Sequence, residues 1–369
     1  MEAATAAAGP RTEGVAARTN IFGLSRAELE RLAASLGEPA YRAQQLYSWL
    51  YRRRVSSLAP MTDLGKKLRA SLEAAHDVRW PSVQERAHST DGTIKLLFRL
   101  DHGGTIESVY IPEERRRTIC ISTQAGCPVR CGFCLTGISG YQRNLRVWEI
   151  LGQVATVMAE APPQDLPWNI VVMGMGEPLL NADATIAALR VLMDRDGFAV
   201  SPRRLTLSTV GILPGLQKLM EEPVRPNLAI SLHAPNSALR RTLMPIEAKY
   251  PLAEVIRAAQ AYPIPRGGRV TYEYVLLHEV NDTPGHARQL ARLVGGSRAK
   301  VNLIPLNATP EIPFDAPTPA AVSEFCAILA QAGVPVSVRR PRGQDILAAC
   351  GQLHLRRGAT PSSLGASPS

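Results

Sequence analysis

From Arg117 onward the chain repeats one pattern: a short apolar run of strand length, then a stretch long enough for a helix. The strand-like runs fall at residues 118–123, 169–175, 204–209, 227–232, 269–276, 300–306 and 334–339. Strands separated by helices cannot pair through tight turns, so this alternation predicts a parallel sheet with helices on its outer face. A full or partial β/α barrel is the natural closure. The chemically loaded residues fall at one end of these runs: Gly174-Met-Gly-Glu-Pro178, Ser208-Thr-Val-Gly211, Ser231-Leu-His-Ala-Pro235, Asn307 and Arg339-Arg-Pro-Arg-Gly-Gln-Asp345. In such barrels the rim at the C-terminal ends of the strands carries the site, because its loops are not needed to hold the strands together.

Ahead of the alternation the pattern is different. Residues 1–18 are rich in Ala, Gly and Thr without apolar periodicity and are expected to be a disordered leader. Residues 19–76 form a small helical accessory domain. Ser25 and Glu28 make a capping box ahead of Leu29, Leu32, Ala33 and Leu36, Gly37 stops the helix, and further helices are expected at 41–54 and 63–75. Residues 77–112 alternate apolar and polar around Thr90-Asp91-Gly92 and Asp101-His102-Gly103-Gly104, as a β-hairpin connector would. The barrel core occupies 113–353, and 354–369 is read as a flexible tail.

Hydrophobic residues make up 45% of the chain, yet no apolar run approaches the roughly 20 residues of a membrane span. With no signal peptide and six dispersed cysteines, the expected setting is the cytoplasm, where thiols stay reduced. A net charge of +10 suits a polyanionic partner such as nucleic acid, although an Arg- and Ala-rich composition accounts for the excess equally well. In the helical domain Arg52-Arg53-Arg54 and Lys66-Lys67-Arg69 lie near Tyr47, Trp49 and Tyr51. That mixture serves phosphate contact and base stacking, or else a solvated basic face around an aromatic core.

Cys127, Cys131 and Cys134 form C-x3-C-x2-C directly after the first strand. Three thiolates converge on one soft metal site at this spacing, whereas zinc and ferredoxin-type clusters normally take four protein ligands. A zinc-dependent RNA-binding protein would have to find a fourth donor elsewhere. The spacing resembles the radical-SAM signature, in which three cysteines hold a 4Fe-4S cluster and S-adenosyl-L-methionine occupies the remaining iron. The flanking Gln124-Ala-Gly-Cys127 and Cys134-Leu-Thr-Gly137 are similar to the RlmN/Cfr family of RNA adenine methyltransferases, and the resemblance extends over roughly residues 20–353. Gly176-Glu-Pro-Leu-Leu-Asn181 and Tyr110-Ile-Pro-Glu113 resemble the RlmN branch. The Cfr pattern, by contrast, has Ala at the place of Pro178.

The resemblance implies a radical-SAM (partial) β/α barrel holding one 4Fe-4S cluster on Cys127, Cys131 and Cys134. Gly176, Glu177, Ser208, Ser231, Leu232, His233 and Asn307 match the family's cofactor-contacting positions. Taken alone, Ser208 and Asn307 read as strand-end caps and His233 as a structural histidine. Glu107, in Glu107-Ser-Val-Tyr-Ile-Pro112, matches the family's proton acceptor, although a strand glutamate ordinarily faces solvent. Cys350 matches the cysteine that carries a methyl group, and Cys120 the cysteine that forms a transient disulfide with it; Cys326 matches nothing and is expected in the core. Carbon 2 of adenine is electrophilic and cannot simply attack a sulfonium methyl. By resemblance, the Cys350 thiolate takes the methyl from one S-adenosyl-L-methionine, and a 5′-deoxyadenosyl radical from a second activates it for addition to the ring. Glu107 then removes the ring proton, and Cys120 releases the RNA by thiol exchange. The implied substrates are adenine 2503 of 23S rRNA and adenine 37 of tRNAs, unstacked to reach a barrel mouth. The implied partners are these RNAs and an electron donor such as flavodoxin, with the protein a monomer off the membrane. A carbon-8 methylase or a glycyl-radical activator would share the cluster and differ in product.

Overall fold

The computed structural model describes residues 18–101, 103–264 and 268–354. Apart from Arg18 and His354, the expected leader and tail lie outside these residues, as does His102 of the expected turn. Ten strands form one sheet: β1 (Ser82–His88), β2 (Ile94–Arg99), β3 (Thr105–Glu113), β4 (Arg116–Cys120), β5 (Trp168–Val172), β6 (Leu205–Thr209), β7 (Asn227–Ser231), β8 (Val270–Leu276), β9 (Ala299–Pro305) and β10 (Val336–Val338). Their spatial order is their sequence order. From β4 to β10 every pairing is parallel, matching the seven expected strands, while β1 to β4 pair antiparallel. The hairpin expected as a connector is thus continuous with the barrel sheet.

Alternation divides the sheet into two chemistries. Ile119, Ile170, Leu205, Leu207, Leu228, Ile230, Val301 and Leu303 are fully buried on the face that the crossover helices cover. Burial of each side chain of this size contributes about 1.5–3 kcal/mol, so this face holds the sheet to its helices. The opposite, concave face carries Thr118, Asn169, Thr206, Thr271, Glu273, Lys300, Asn302 and Ser337, all at the wall of one cavity. A closed eight-stranded barrel packs its interior with branched apolar side chains; here the interior is polar and open.

The helical unit comprises α1 (Arg26–Ser35), α2 (Tyr41–Tyr47), which runs into one wide turn at Ser48–Arg52, and α3 (Lys66–Ala75). The Ser25–Glu28 capping box is formed. The unit docks against the barrel helices α4 (Val147–Glu160) and α5 (Ala182–Met193). Gly23, at φ +108, sits so close to Trp148 that a Cβ would lie 2.8 Å from its backbone nitrogen. Beyond α5, Asp194 accepts hydrogen bonds from Arg26 Nη2 and Tyr47 Oη. Tyr47, Trp49 and Tyr51 are buried here, Tyr51 completely. Tyr51 Oη donates to Leu24 O at 2.6 Å, and Arg53 stacks outside on Trp49 at 3.8 Å. The aromatics are therefore the core of the helical unit and do not form a base-stacking surface.

Arg240 fixes the rim. It is completely buried, meets Glu247 at 2.5 Å and donates to Val210 O at 2.7 Å and to Leu232 O at 3.3 Å, so it joins the chain just beyond β6 to the chain just beyond β7. Removing one partner of a buried pair strands the other charge, at a cost of about 3–5 kcal/mol. Arg240→Met is expected to lose stability of this order in chemical denaturation, and Arg240→Met combined with Glu247→Leu to recover a large part of it.

Candidate active site

The cysteine loop is folded by its own backbone. Residues Gln124–Gly126 pair antiparallel with Tyr141–Asn144, and Cys127 N donates to Gly140 O at 2.8 Å, so the loop closes at its base. Arg130 takes the left-handed conformation at φ +57, and Gly132 N donates to Leu243 O at 3.1 Å. Cys134 caps the short helix Leu135–Ile138. That helix lies so close that a Cβ on Gly137 would be 2.9 Å from Cys131 N. Burial pushes the Cys127 thiol up to about 12, against hydrogen bonds from the Val129 and Arg130 amides, and raises Cys131 well above the ordinary thiol range. Those two amides point at a sulfur that would carry negative charge.

The donor set fits an iron–sulfur cluster. It supplies three thiols and no histidine or carboxylate. Among the described residues no group of three or more His, Cys, Asp and Glu is arranged to hold a metal ion. Sulfurs bound at about 2.3 Å to one zinc must nearly touch one another, whereas in a cluster each thiolate binds its own iron and the sulfurs stand farther apart. Cys127, Cys131 and Cys134 are the residues that would hold it.

Cys120 and Cys350 come to the same place. Cys120 closes β4 on the concave face, and Cys350 lies on a strap, residues 343–354, laid across the barrel mouth. Both line a cavity of about 850 Å³ together with Cys134, Asn307 and Arg339. Burial, and next Cys350, push the Cys120 thiol up to about 12. Burial likewise raises Cys350, and the Arg339 guanidinium opposes this. All six cysteines are free thiols, so the expected bridge between Cys120 and Cys350 is not formed in this structure. Cys326, expected in the core, is only half-buried on the outer helix Pro319–Gln331.

The expected cofactor-contacting residues follow the strand ends around the rim. Gly174 and Gly176 are required by packing, since a Cβ on either would fall within 2.8 Å of the 121–124 segment. Glu177 is buried beside them. It accepts hydrogen bonds from Leu179 N, Thr209 Oγ1 and Val210 N at 2.7–2.9 Å, and burial lifts its carboxyl to about 7. These bonds leave it one lone pair short of saturation. Ser208 and Ser231 lie on the concave face with hydroxyls 3.1 Å apart. Leu232 is buried, and its carbonyl accepts from Arg240. His233 sits at φ +59, its Nδ1 accepts from Val275 N at 3.0 Å, and burial lowers it to about 3, so it is a neutral imidazole with its proton on Nε2. Asn307 donates to Cys350 O at 3.3 Å and accepts from Gln344 at 3.0 Å, tying the strap down.

Glu107 faces inward. Its neighbour on the same face, Val109, pairs with Cys120 across β3 and β4, and with Lys95 across β2 and β3. The carboxylate is completely buried, 3.1 Å from Lys95 Nζ, and its Oε2 accepts from His354 N at 3.1 Å. Sequence reasoning passed over Lys95 and the interior residues Glu273, Asn302 and Ser337. Asn302 donates to Glu273 at 2.7 Å and accepts from Ser337 at 3.0 Å, forming a polar row across β8, β9 and β10. The available signal was polar residues at every second place in strands whose other face is wholly apolar.

Residues 19–78 match the family of the ribosomal RNA large subunit methyltransferase N-terminal domain, and residues 121–291 the radical SAM superfamily. The chain is 43% identical to the dual-specificity RNA methyltransferase RlmN of Alcanivorax borkumensis, over 91% of this chain and 90% of that one. It is 45% identical to the protein of the same name from Geobacter sulfurreducens, over 94% and 95%. A crystal structure of a radical SAM methyltransferase from Sphaerobacter thermophilus superposes with a TM-score of 0.85 at 43% identity, covering 91% of this chain and 99% of that one. Motif, sheet and relatives agree: the chain belongs to the RlmN family of radical SAM methyltransferases.

Proposed function

We propose that the protein methylates carbon 2 of adenine in 23S rRNA and in tRNA, with Cys350 as the carrier of the methyl group. The observation that supports this reading is the single cavity onto which Cys134, Cys120 and Cys350 all open. A cluster thiol, a carrier thiol and a resolving thiol need a common space, because the transferred carbon has to be activated, delivered and released without leaving it. When bound, the 4Fe-4S cluster and S-adenosyl-L-methionine would supply the methyl group, the one-electron chemistry that activates it, and the acceptor for the electron that the ring gives up along with its proton.

The chain's own residues account for the rest. Arg339 stands by Cys350 as a fixed cation and favours the thiolate that accepts a methyl group. Glu107 presents a carboxylate oxygen on the concave face and takes the ring proton once carbon 2 is bonded to the carried methylene. Cys120 then attacks Cys350 Sγ. The new S–S bond replaces the Cys350 S–C bond, the electron pair leaves with the carbon, and the carbon gains a proton to become the methyl of the product. An external two-electron reductant returns both cysteines to thiols, and an electron donor such as flavodoxin would supply the single electrons that the cluster needs. No helix among the described residues is long and apolar enough to cross a membrane, and the RNA is met from solution.

Two experiments test this. Anaerobic reconstitution should give a brown protein with about four irons per chain; the Cys127→Ala/Cys131→Ala/Cys134→Ala variant should hold none. Zinc in place of iron in the reconstituted wild type would overturn the reading. With rRNA fragments and tRNA as substrates, Cys350→Ala should give neither methylated base nor covalent RNA adduct. Cys120→Ala should carry a methylated Cys350 and accumulate an RNA–protein adduct, visible on denaturing gels. Turnover by both single variants at the wild-type rate would refute the two-thiol scheme.

A further inference from the structure

Lys95 is almost fully buried, at 3% exposure, in a β-strand, and nothing in the proposed chemistry so far uses it. Its position is set by register. Lys95, Val109, Cys120 and Val171 are successive partners across β2, β3, β4 and β5, so all four project into the concave face. The lysine and the resolving thiol therefore stand on one cross-strand row. Glu107 occupies the next row toward the rim.

Two contacts of the ammonium define its surroundings. Nζ lies 3.1 Å from Glu107 Oε1, and it donates a hydrogen bond to Leu347 O, also at 3.1 Å. Leu347 belongs to the strap that carries Cys350 and, like Gly343, takes a left-handed backbone conformation there. Further ties of the strap run to the turn between β1 and β2 and to Glu107. Asp345 accepts from Ser89 Oγ at 2.6 Å and from Thr90 N at 3.1 Å, Gly343 N donates to Asp91, and His354 N donates to Glu107 Oε2. Glu107 and Lys95 thus grip the strap at both ends of the Cys350 segment.

The two carboxylate oxygens differ. Oε2 is occupied by the strap amide, whereas Oε1, beside the ammonium, accepts no hydrogen bond although it is buried. A buried acceptor with an open lone pair is costly unless a charge or a ligand compensates it. Lys95 provides the charge and leaves the lone pair vacant. That arrangement suits a proton acceptor: one oxygen is held by the strap, and the other faces a cation and has no hydrogen-bond donor on it.

We propose that Lys95 is the positioning residue for proton removal, a single ammonium that holds the Glu107 carboxylate in place from its Oε1 side and anchors the Cys350 strap above it. The proposal rests on the reading of Glu107 as the base. Once Glu107 has taken the ring proton, the ammonium loses its counter-charge. The grip on the strap then weakens at the stage when Cys350 must turn toward Cys120.

The test uses full-length reconstituted protein with an rRNA fragment. Lys95→Met should keep its iron chromophore and its methylated Cys350, form methylated base at least tenfold more slowly, and accumulate the covalent RNA–protein adduct as Glu107→Gln does. Lys95→Arg should restore most of the turnover and clear the adduct. A merely structural lysine would lose Cys350 methylation and product together in Lys95→Met without building adduct, and that result overturns the proposal. Adduct in Glu107→Gln with wild-type turnover in Lys95→Met also overturns it, leaving the base in place. No adduct in Glu107→Gln overturns the reading of Glu107 itself.

Discussion

The two-residue period of the strands is the constraint on which the site depends. Because the strands lie side by side in sequence order from β1 to β10, each cross-strand row is fixed by its neighbours. A slip of one residue in any strand would send its polar residues against the helices and its leucines into the cavity. The apolar outer face prevents that slip. Ile119, Ile170, Leu207, Ile230 and Leu303 are all buried under helices, and together they fix the register that presents Cys120, Ser208, Ser231 and Glu273 on one face. The chemistry of the concave side is therefore supported by packing on the convex side. Antiparallel β1 to β3 extend the same two faces past the edge of the parallel sheet, which is how Glu107 and Lys95 reach the wall that carries Cys120.

Within this frame the strain and the buried charge are local to the rim. His233 holds a left-handed backbone, and its carbonyl accepts from Asn281 Nδ2 at 2.9 Å. Arg240 links the chain beyond β6 to the chain beyond β7. Such costs of order 1–3 kcal/mol for a non-glycine left-handed residue persist only where surrounding structure over-determines the geometry. The Arg240–Glu247 pair supplies that surrounding structure. Glu247 also accepts from Leu252 N, so the start of the next crossover helix is part of the same network. A rim held this firmly suits a reaction in which sulfur and carbon must meet without water between them.

The strands and the cysteine loop were legible in the sequence because both are local signals: a run of branched apolar residues between helical stretches, and thiols at fixed spacing. The seven parallel strands fall within two or three residues of the expected bounds. The direction in which a side chain points was legible only where a strand's neighbours were known. Glu107 alternates with Ile106 and Ser108 in either orientation, and its inward placement follows from the pairing of Val109 with Cys120, which no single strand encodes. The aromatics of the helical unit misled for the opposite reason. Arg52, Arg53 and Arg54 next to Trp49 and Tyr51 look like a stacking surface along the chain. In three dimensions the rings turn inward to fill the gap between α2 and α5, and the cations remain outside.

The strap joins these arguments. Residues 343–354 contain little apolar periodicity, and the core expected to run to 353 ends in this segment. It is ordered here by polar contacts to elements distant in sequence: Asp345 to the β1–β2 turn, Asn307 to Cys350 O, Leu135 N to Gly351 O, and Thr136 Oγ1 to Leu353 O. Each bond is individually modest, about 0.5–1.5 kcal/mol net, and Ala348, Ala349 and Leu353 add only a small buried apolar contact. A segment held this way opens at lower free energy than the sheet beneath it. That difference suits the proposed two-thiol scheme, in which Cys120 stays fixed on a strand while Cys350 serves first the cofactor, then the base, then Cys120. In that scheme a carrier on a rigid strand could meet only one of the three, so the strap's separate anchorage would be a condition of the chemistry rather than a defect in the fold.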